Sequence, residues 1–219
     1  MRPLASLPVS GFAAAVAVGI ASHSFTTTGT PSGGFAIPAG TPDGVYSVRL
    51  HPDGTANHTL MAYIDMDRPT TTITTSHNSP QPPPQLRNHA HGGGGGVLSR
   101  RGTWGIDCGG RGNMDPTNAC AAVDGLASLC GGQRGATAVG ADVYVYALRS
   151  SMAAFFCVFA GPPRACYDAE SRWAFQQIVR VCGADAEGWM DWWDVRTKEY
   201  TYGYHNAKSG VDFCGRRHG

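Results

Sequence analysis

The alternation of apolar and polar positions changes rhythm several times along this chain, and each rhythm predicts an element. Residues 4–20 are apolar almost throughout and rich in Ala and Val, behind a short positive start at Met1-Arg2. Small residues at Gly19-Ile20-Ala21 complete the layout of a secretory signal peptide, expected over residues 1–21. Pro8 and Gly11 interrupt the stretch, which falls short of the roughly 20 apolar residues of a spanning helix. Further on, Val45-Tyr-Ser-Val-Arg-Leu50 and Thr55 to Ile64 enclose His51-Pro52-Asp53-Gly54. Pro52 presets one turn dihedral, and Asp53-Gly54 tolerate the others, which predicts a β-hairpin. A hairpin alone is marginal in water, so it must pack on something or stay partly ordered.

Helical spacing begins at Asp115-Pro116, an N-cap followed by proline at the first helical position. It predicts a helix from Pro116 to Cys130, with Ala119, Val123, Leu126 and Cys130 on one face and Gly131 closing it. Val143 to Leu148 alternates as a strand. Met152 to Phe159 is apolar enough for the middle of a sheet, and Pro162-Pro163 ends it. Asp168 is placed to cap a second helix running to Cys182, with Ala174, Ile178, Val181 and Cys182 inward and Gly183 after it. Shorter strands are expected at Gly188–Trp193, Lys198–Tyr204 and Val211–Cys214. Helices segregated from hairpin-linked strands make an α+β fold, an α/β sandwich of one antiparallel sheet with two helices on one face.

Composition divides the chain into sections. After the signal, residues 22–67 form a polar segment holding the hairpin, a candidate pro-region. Residues 68–101 run through Thr, Pro82-Pro83-Pro84 and five glycines, and predict a disordered linker ending in the dibasic pair Arg100-Arg101, a candidate processing site. Residues 102–219 hold all seven cysteines and all five tryptophans. In an exported chain such cysteines read as a disulfide framework of up to three bridges plus one thiol. Cys120 and Cys130, about 15 Å apart on one helix, cannot bridge each other. Cys108, Cys120, Cys157, Cys166, Cys182 and Cys214 are the bridge candidates, Cys157 and Cys166 being able to close the proline turn. Cys130, beside Gly131, is the candidate free thiol.

Charge acts here by exclusion. From Gly102 onward, 11 Lys and Arg stand against 12 Asp and Glu, so no basic surplus exists to hold a phosphate backbone, and nucleic acid is not expected as a partner. There is no Cys-x-x-Cys pair, and His205 is the one His among the cysteines apart from His218. Neither a metal nor any other cofactor is therefore expected. His89 and His91 stand on the linker. Beyond the signal segment the longest apolar run is Met152–Ala160, too short for a membrane span. Asn57-His58-Thr59 is a glycosylation acceptor.

The densest chemistry lies in Glu187-Gly-Trp189-Met-Asp191-Trp192-Trp193-Asp194. Aromatic rings stack on the C–H faces of sugars, and carboxylates accept hydroxyl hydrogen bonds. Trp189, Asp191, Trp192, Trp193 and Asp194 are thus the candidate binding residues, and paired acids also suit glycoside hydrolysis. The competing reading places the tryptophans in the core, with at least one exposed, since a single short strand cannot bury all three. No Gly-x-Ser-x-Gly elbow accompanies His205, and no catalytic residue is assigned.

Trp104-Gly-Ile-Asp-Cys108-Gly-Gly-Arg-Gly112, Phe155-Phe-Cys157, Cys166, Val181-Cys182-Gly183, Gly188-Trp189, Tyr202-Gly203 and Phe213-Cys214 resemble the pattern of small secreted cysteine-rich proteins of fungi. The opening, and the Cys-Gly after the second helix, resemble fungal killer-toxin-like proteins more distantly. Pro42-Asp-Gly-Val-Tyr46 with its hairpin is similar to the N-terminal part often attached to such domains. The resemblance implies an extracellular α/β sandwich acting as effector or antagonistic toxin, and supplies no catalytic residues. The expectation is a secreted protein that acts by binding an extracellular protein or glycan. The alternative is a glycan-binding or glycan-cleaving protein built on the Trp/Asp cluster.

Overall fold

The computed structural model describes residues 23–30, 33–64, 103–131, 138–140, 143–194, 197–207 and 211–215. The signal segment, the linker with His89 and His91, and Arg100-Arg101 lie outside the described residues. The strands are β1 (Ser24–Thr28), β2 (Gly44–Leu50), β3 (Thr55–Ala62), β4 (Thr103–Arg111), β5 (Ala138–Val139), β6 (Val143–Arg149), β7 (Met152–Val158), β8 (Arg164–Ala165), β9 (Ala186–Asp194) and β10 (Thr197–Asn206). The helices are α1 (Pro116–Cys130) and α2 (Asp168–Cys182). Eight strands form one antiparallel sheet in the order β1-β3-β2-β6-β7-β10-β9-β4, and β5 and β8 make a small separate ribbon. The fold is α+β, as the periodicity predicts.

Local chemistry explains where the main elements begin and end. Asp115 caps α1 by accepting from the backbone N–H groups of Thr117 and Asn118 at 2.9 and 3.1 Å, satisfying two of the orphaned donors of a helix start. The β2–β3 turn is closed by Asp53, whose Oδ1 accepts from the Thr55 N–H and hydroxyl, with Gly54 at φ +80°. Three details of these elements differ from the sequence expectation. Asp168 is the first residue of α2 and holds Arg172 one turn on, while Tyr167 occupies the cap. Val181, expected inward, is 58% exposed on the outer side of α2. The stretch expected as a last strand, Val211–Cys214, makes one bridge only, Phe213 to Phe35.

Both faces of the sheet are covered. On one, α1 and α2 pack over Val145, Phe156, Met190, Trp192 and Tyr202. On the other, segments from the two ends of the described chain cross and hydrogen-bond, Phe35 N–H to Phe213 C=O at 2.9 Å and Phe213 N–H to Phe35 C=O at 2.8 Å. Phe35, Ile37 and Phe213 seal a second core over Tyr46, Val48, Tyr146 and Phe155. Every residue of β7 is buried, because this strand sits mid-sheet between two cores. The hairpin is not a unit apart from the cysteine-rich section. β2 pairs with β6 from Gly44↔Leu148 to Arg49↔Val143, so the sheet runs through both sections.

Three disulfides join Cys108 to Cys182, Cys130 to Cys166 and Cys157 to Cys214. Cys120 stands outside all three, which corrects the expectation that Cys130 is the thiol. Cys130 ends α1 fully buried, with its Cα 4.9 Å from that of Cys166 just ahead of α2. Cys120 lies about 15 Å back along α1. A bridge between Cys157 and Cys166 is ruled out by the sheet itself, since Cys157 belongs to the second core and Cys166 to the helix-side core. No cysteine precedes Cys108, so no disulfide ties β1, β2 or β3 to the rest of the chain.

Candidate functional site

Strand alternation sorts the Trp/Asp cluster onto two faces. From β9, Met190 and Trp192 point toward the helices, while Glu187, Trp189, Asp191 and Trp193 occupy the opposite, helix-free face. Trp192 is 6% exposed and stacks on Tyr200 with ring centroids 4.6 Å apart. It is a core residue and leaves the candidate binding set. Trp189 and Trp193 are half-buried. The side chain of Asp194 lies outside the described residues.

On the helix-free face an ion pair and a His–carboxylate contact run between β9 and β10. Asp191 lies opposite Thr201. Its Oδ1 accepts from Lys198 Nζ at 2.8 Å and from the Thr201 hydroxyl. The carboxylate is 1% exposed, and its Oδ2 has no hydrogen-bond partner among the described residues. Burial pushes the Asp191 carboxyl above its usual range, with Lys198 and Thr201 pulling it down and Asp107 adding a small upward push. At the other end of β9, His205 Nδ1 lies 2.9 Å from Glu187 Oε1, which also accepts from the Asn206 N–H at 3.2 Å.

Glycines shape this face. A Cβ on Gly109 would sit 2.9 Å from Glu187 Cβ, and one on Gly203 would sit 2.4 Å from Phe155 Cζ and 2.8 Å from Trp189 Cβ. Their absence lets Glu187 and the rings of Phe155 and Trp189 lie over neighbouring strands. Between these rings and the Val211–Gly215 segment is a shallow recess of about 10 Å³, the space of a single water. Phe155, Phe159, Trp189 and Phe213 line it, with Lys198, Thr201 and His205 at its margin. It accepts the tip of a side chain rather than a whole small molecule.

The spacing limits the chemistry. Glu187 and Asp191 are four strand positions apart, about 13 Å between Cα atoms, and each turns toward its own partner on β10. Glycosidase carboxyl pairs stand about 5–5.5 Å or 6.5–9.5 Å apart, so these two do not form one. Asp107 pairs with Trp189 in the β4–β9 register and is exposed. Its Cα is therefore about 8 Å from that of Asp191 on the same face. Among the described residues no three His, Cys, Asp or Glu side chains gather to hold a metal ion.

Asn57 is half-buried on β3, opposite Thr26 and Arg49. Nothing in the sequence marks Lys198, Thr201 or Asp107 as site residues, and nothing local to Glu187 and His205 joins them across the 17 positions between. Antiparallel strands of alternating pattern were the available signal. A β9–β10 hairpin in this register sets 187 near 205 and 191 opposite 201.

Among the described residues no helix is long and apolar enough to cross a membrane, and a small domain with three disulfides is compatible with an extracellular protein. No protein-family model, curated protein or solved structure matches this chain.

Proposed function

We propose that this chain acts outside the cell by binding, as an effector or toxin-like protein, with the helix-free face around Trp189 as its recognition surface. The observation that carries this reading is how the charged groups there are used. Asp191 and Glu187 are buried and each is engaged by a basic partner from β10. What this face offers to a partner is therefore half-exposed aromatic surface around a shallow recess. Aromatic anchors bordered by polar groups are the usual anatomy of a protein-binding hot spot. The resemblance to small secreted cysteine-rich proteins of fungi points the same way.

The test applies the purified protein to intact cells and, separately, to polysaccharide, peptide and ester substrates. A cellular response that Trp189→Ala removes while the fold is retained supports the proposal. Turnover of any substrate that Asp191→Asn or Glu187→Gln abolishes would sink it.

A second reading, binding or cleaving a glycan, is favoured by one observation: Trp189, Trp193 and the exposed Asp107 share a face with the buried Asp191. A glycan array blank for the intact protein would remove it.

A further inference from the structure

The sheet has two outer edges, and they differ. β1 is five residues long, Ser-Phe-Thr-Thr-Thr. β4 is nine residues long and begins Thr-Trp-Gly-Ile-Asp. Natural edge strands are protected by lysines, prolines, bulges or brevity. β4 carries its protection at the far end, where a register shift falls between Cys108 and Arg111 beside Gly109-Gly110. From Thr103 to Cys108 it pairs regularly with β9, and among the described residues nothing pairs with its outer side.

This edge is apolar on one face and stiff. Trp104 is 52% exposed on the helix side, and Ile106, on the same face, is half-buried against the core. Cys108–Cys182 ties the strand to the end of α2, and Trp104 packs edge-on against Trp173 at 5.8 Å. On the other face, Gly105 has open space where a Cβ would stand and Asp107 presents an exposed carboxylate. Asp191, its acidic neighbour, is already engaged by Lys198.

We infer that the outer edge of β4 is a docking edge for an extended polypeptide segment whose side chains alternate, apolar against Trp104 and Ile106 and basic against Asp107. Strand addition supplies main-chain hydrogen bonds, while the alternation of pockets and charge sets which segment fits. An edge already held by a disulfide and a tryptophan contact needs little ordering on binding. For a second copy, antiparallel self-pairing centred on Asp107 would set two carboxylates opposite each other. The inference concerns a different surface from the one around Trp189, and either can fail alone.

The experiment follows amide hydrogen exchange of β4 in the full chain, with two capped peptides as probes. One alternates Val and Lys, and the other holds the same residues in blocks. The expected result is saturable slowing of exchange at alternate β4 amides between Trp104 and Cys108 by the alternating peptide only. Asp107→Lys should shift preference to an alternating Val/Glu peptide by about fivefold, and this exposed substitution removes no core side chain. Slowing by neither peptide, equal slowing by both, or β4 amides already slow and indifferent to peptide would each overturn the inference. The last outcome would mean that the chain itself or a second copy covers the edge.

Discussion

Acidification should loosen this fold through His58. The imidazole is fully buried in the second core, stacked on Phe25 at 4.5 Å and edge-on to Phe35 at 5.6 Å. Nε2 is 3.0 Å from the Thr27 hydroxyl and Nδ1 is 3.2 Å from the Tyr146 hydroxyl. Both hydroxyls can accept from a protonated ring, so charging it breaks no hydrogen bond. The penalty is desolvation, which lowers the His58 pKa from 6.5 to about 4. The folded state therefore resists the proton that the unfolded state takes up. This contribution to stability is intact above pH 6.5 and drains as pH falls toward 4. At 1.36 kcal/mol per pH unit, about 2 kcal/mol is lost by pH 5 and about 3 kcal/mol by pH 4. The assay is denaturant unfolding at a series of pH values for the wild type and His58→Phe. The variant keeps the ring packing and gives up two hydrogen bonds, costing about 1–2 kcal/mol at neutral pH. Its curve should fall less steeply and cross that of the wild type near about pH 5. Titrations common to both proteins cancel in the difference. A difference that stays constant from neutral pH to pH 4, or a His58 ring titrating near 6.5 by NMR, would refute the reasoning.

Other expected outcomes follow from packing and connectivity. Gly203→Ala drives a Cβ to within 2.4 Å of Phe155 Cζ and should cost about 1–3 kcal/mol of unfolding free energy, partly recovered by adding Phe155→Leu. Tyr200→Phe takes away the hydroxyl that donates to the buried Glu170 Oε1 at 2.8 Å and accepts from Arg164. A denaturant series should register a loss of about 2 kcal/mol; a neutral result would show that Glu170 does not depend on it. Thiol labelling of unreduced, unfolded protein should modify Cys120 alone, and label on Cys130 would overturn the assigned pairing. Residues 23–64 and 103–219, co-expressed as separate chains, should co-elute without any covalent link because β2 pairs with β6. Reduction-independent separation at neutral pH would show that this pairing does not hold the N-terminal strands.

The sequence alone determines what depends on near neighbours. α1 from Pro116 to Cys130 is legible because Asp115, Pro116 and Gly131 mark both ends. The β2–β3 turn is legible because Asp53 and Gly54 suit its dihedrals, and β7 because an unbroken apolar strand must lie mid-sheet. What only the tertiary structure decides depends on which distant surfaces meet. Periodicity shows that Cys130 points inward, but the packing of α1 against the start of α2 is what brings Cys166 to it. The same holds for the hairpin, since polar composition around it hides that β2 supplies the neighbour β6 needs. In the Trp/Asp cluster, alternation on β9 implies that Trp189 and Trp192 cannot share a face. Which of them is core follows only from where the helices lie, and the pairing of Glu187 with His205 and Asp191 with Lys198 follows only from the β9–β10 register. Local conformational preference is written in a few adjacent residues, whereas sheet order, disulfide partners and the site are set by burial and loop closure over tens of residues, which no single stretch of chain encodes.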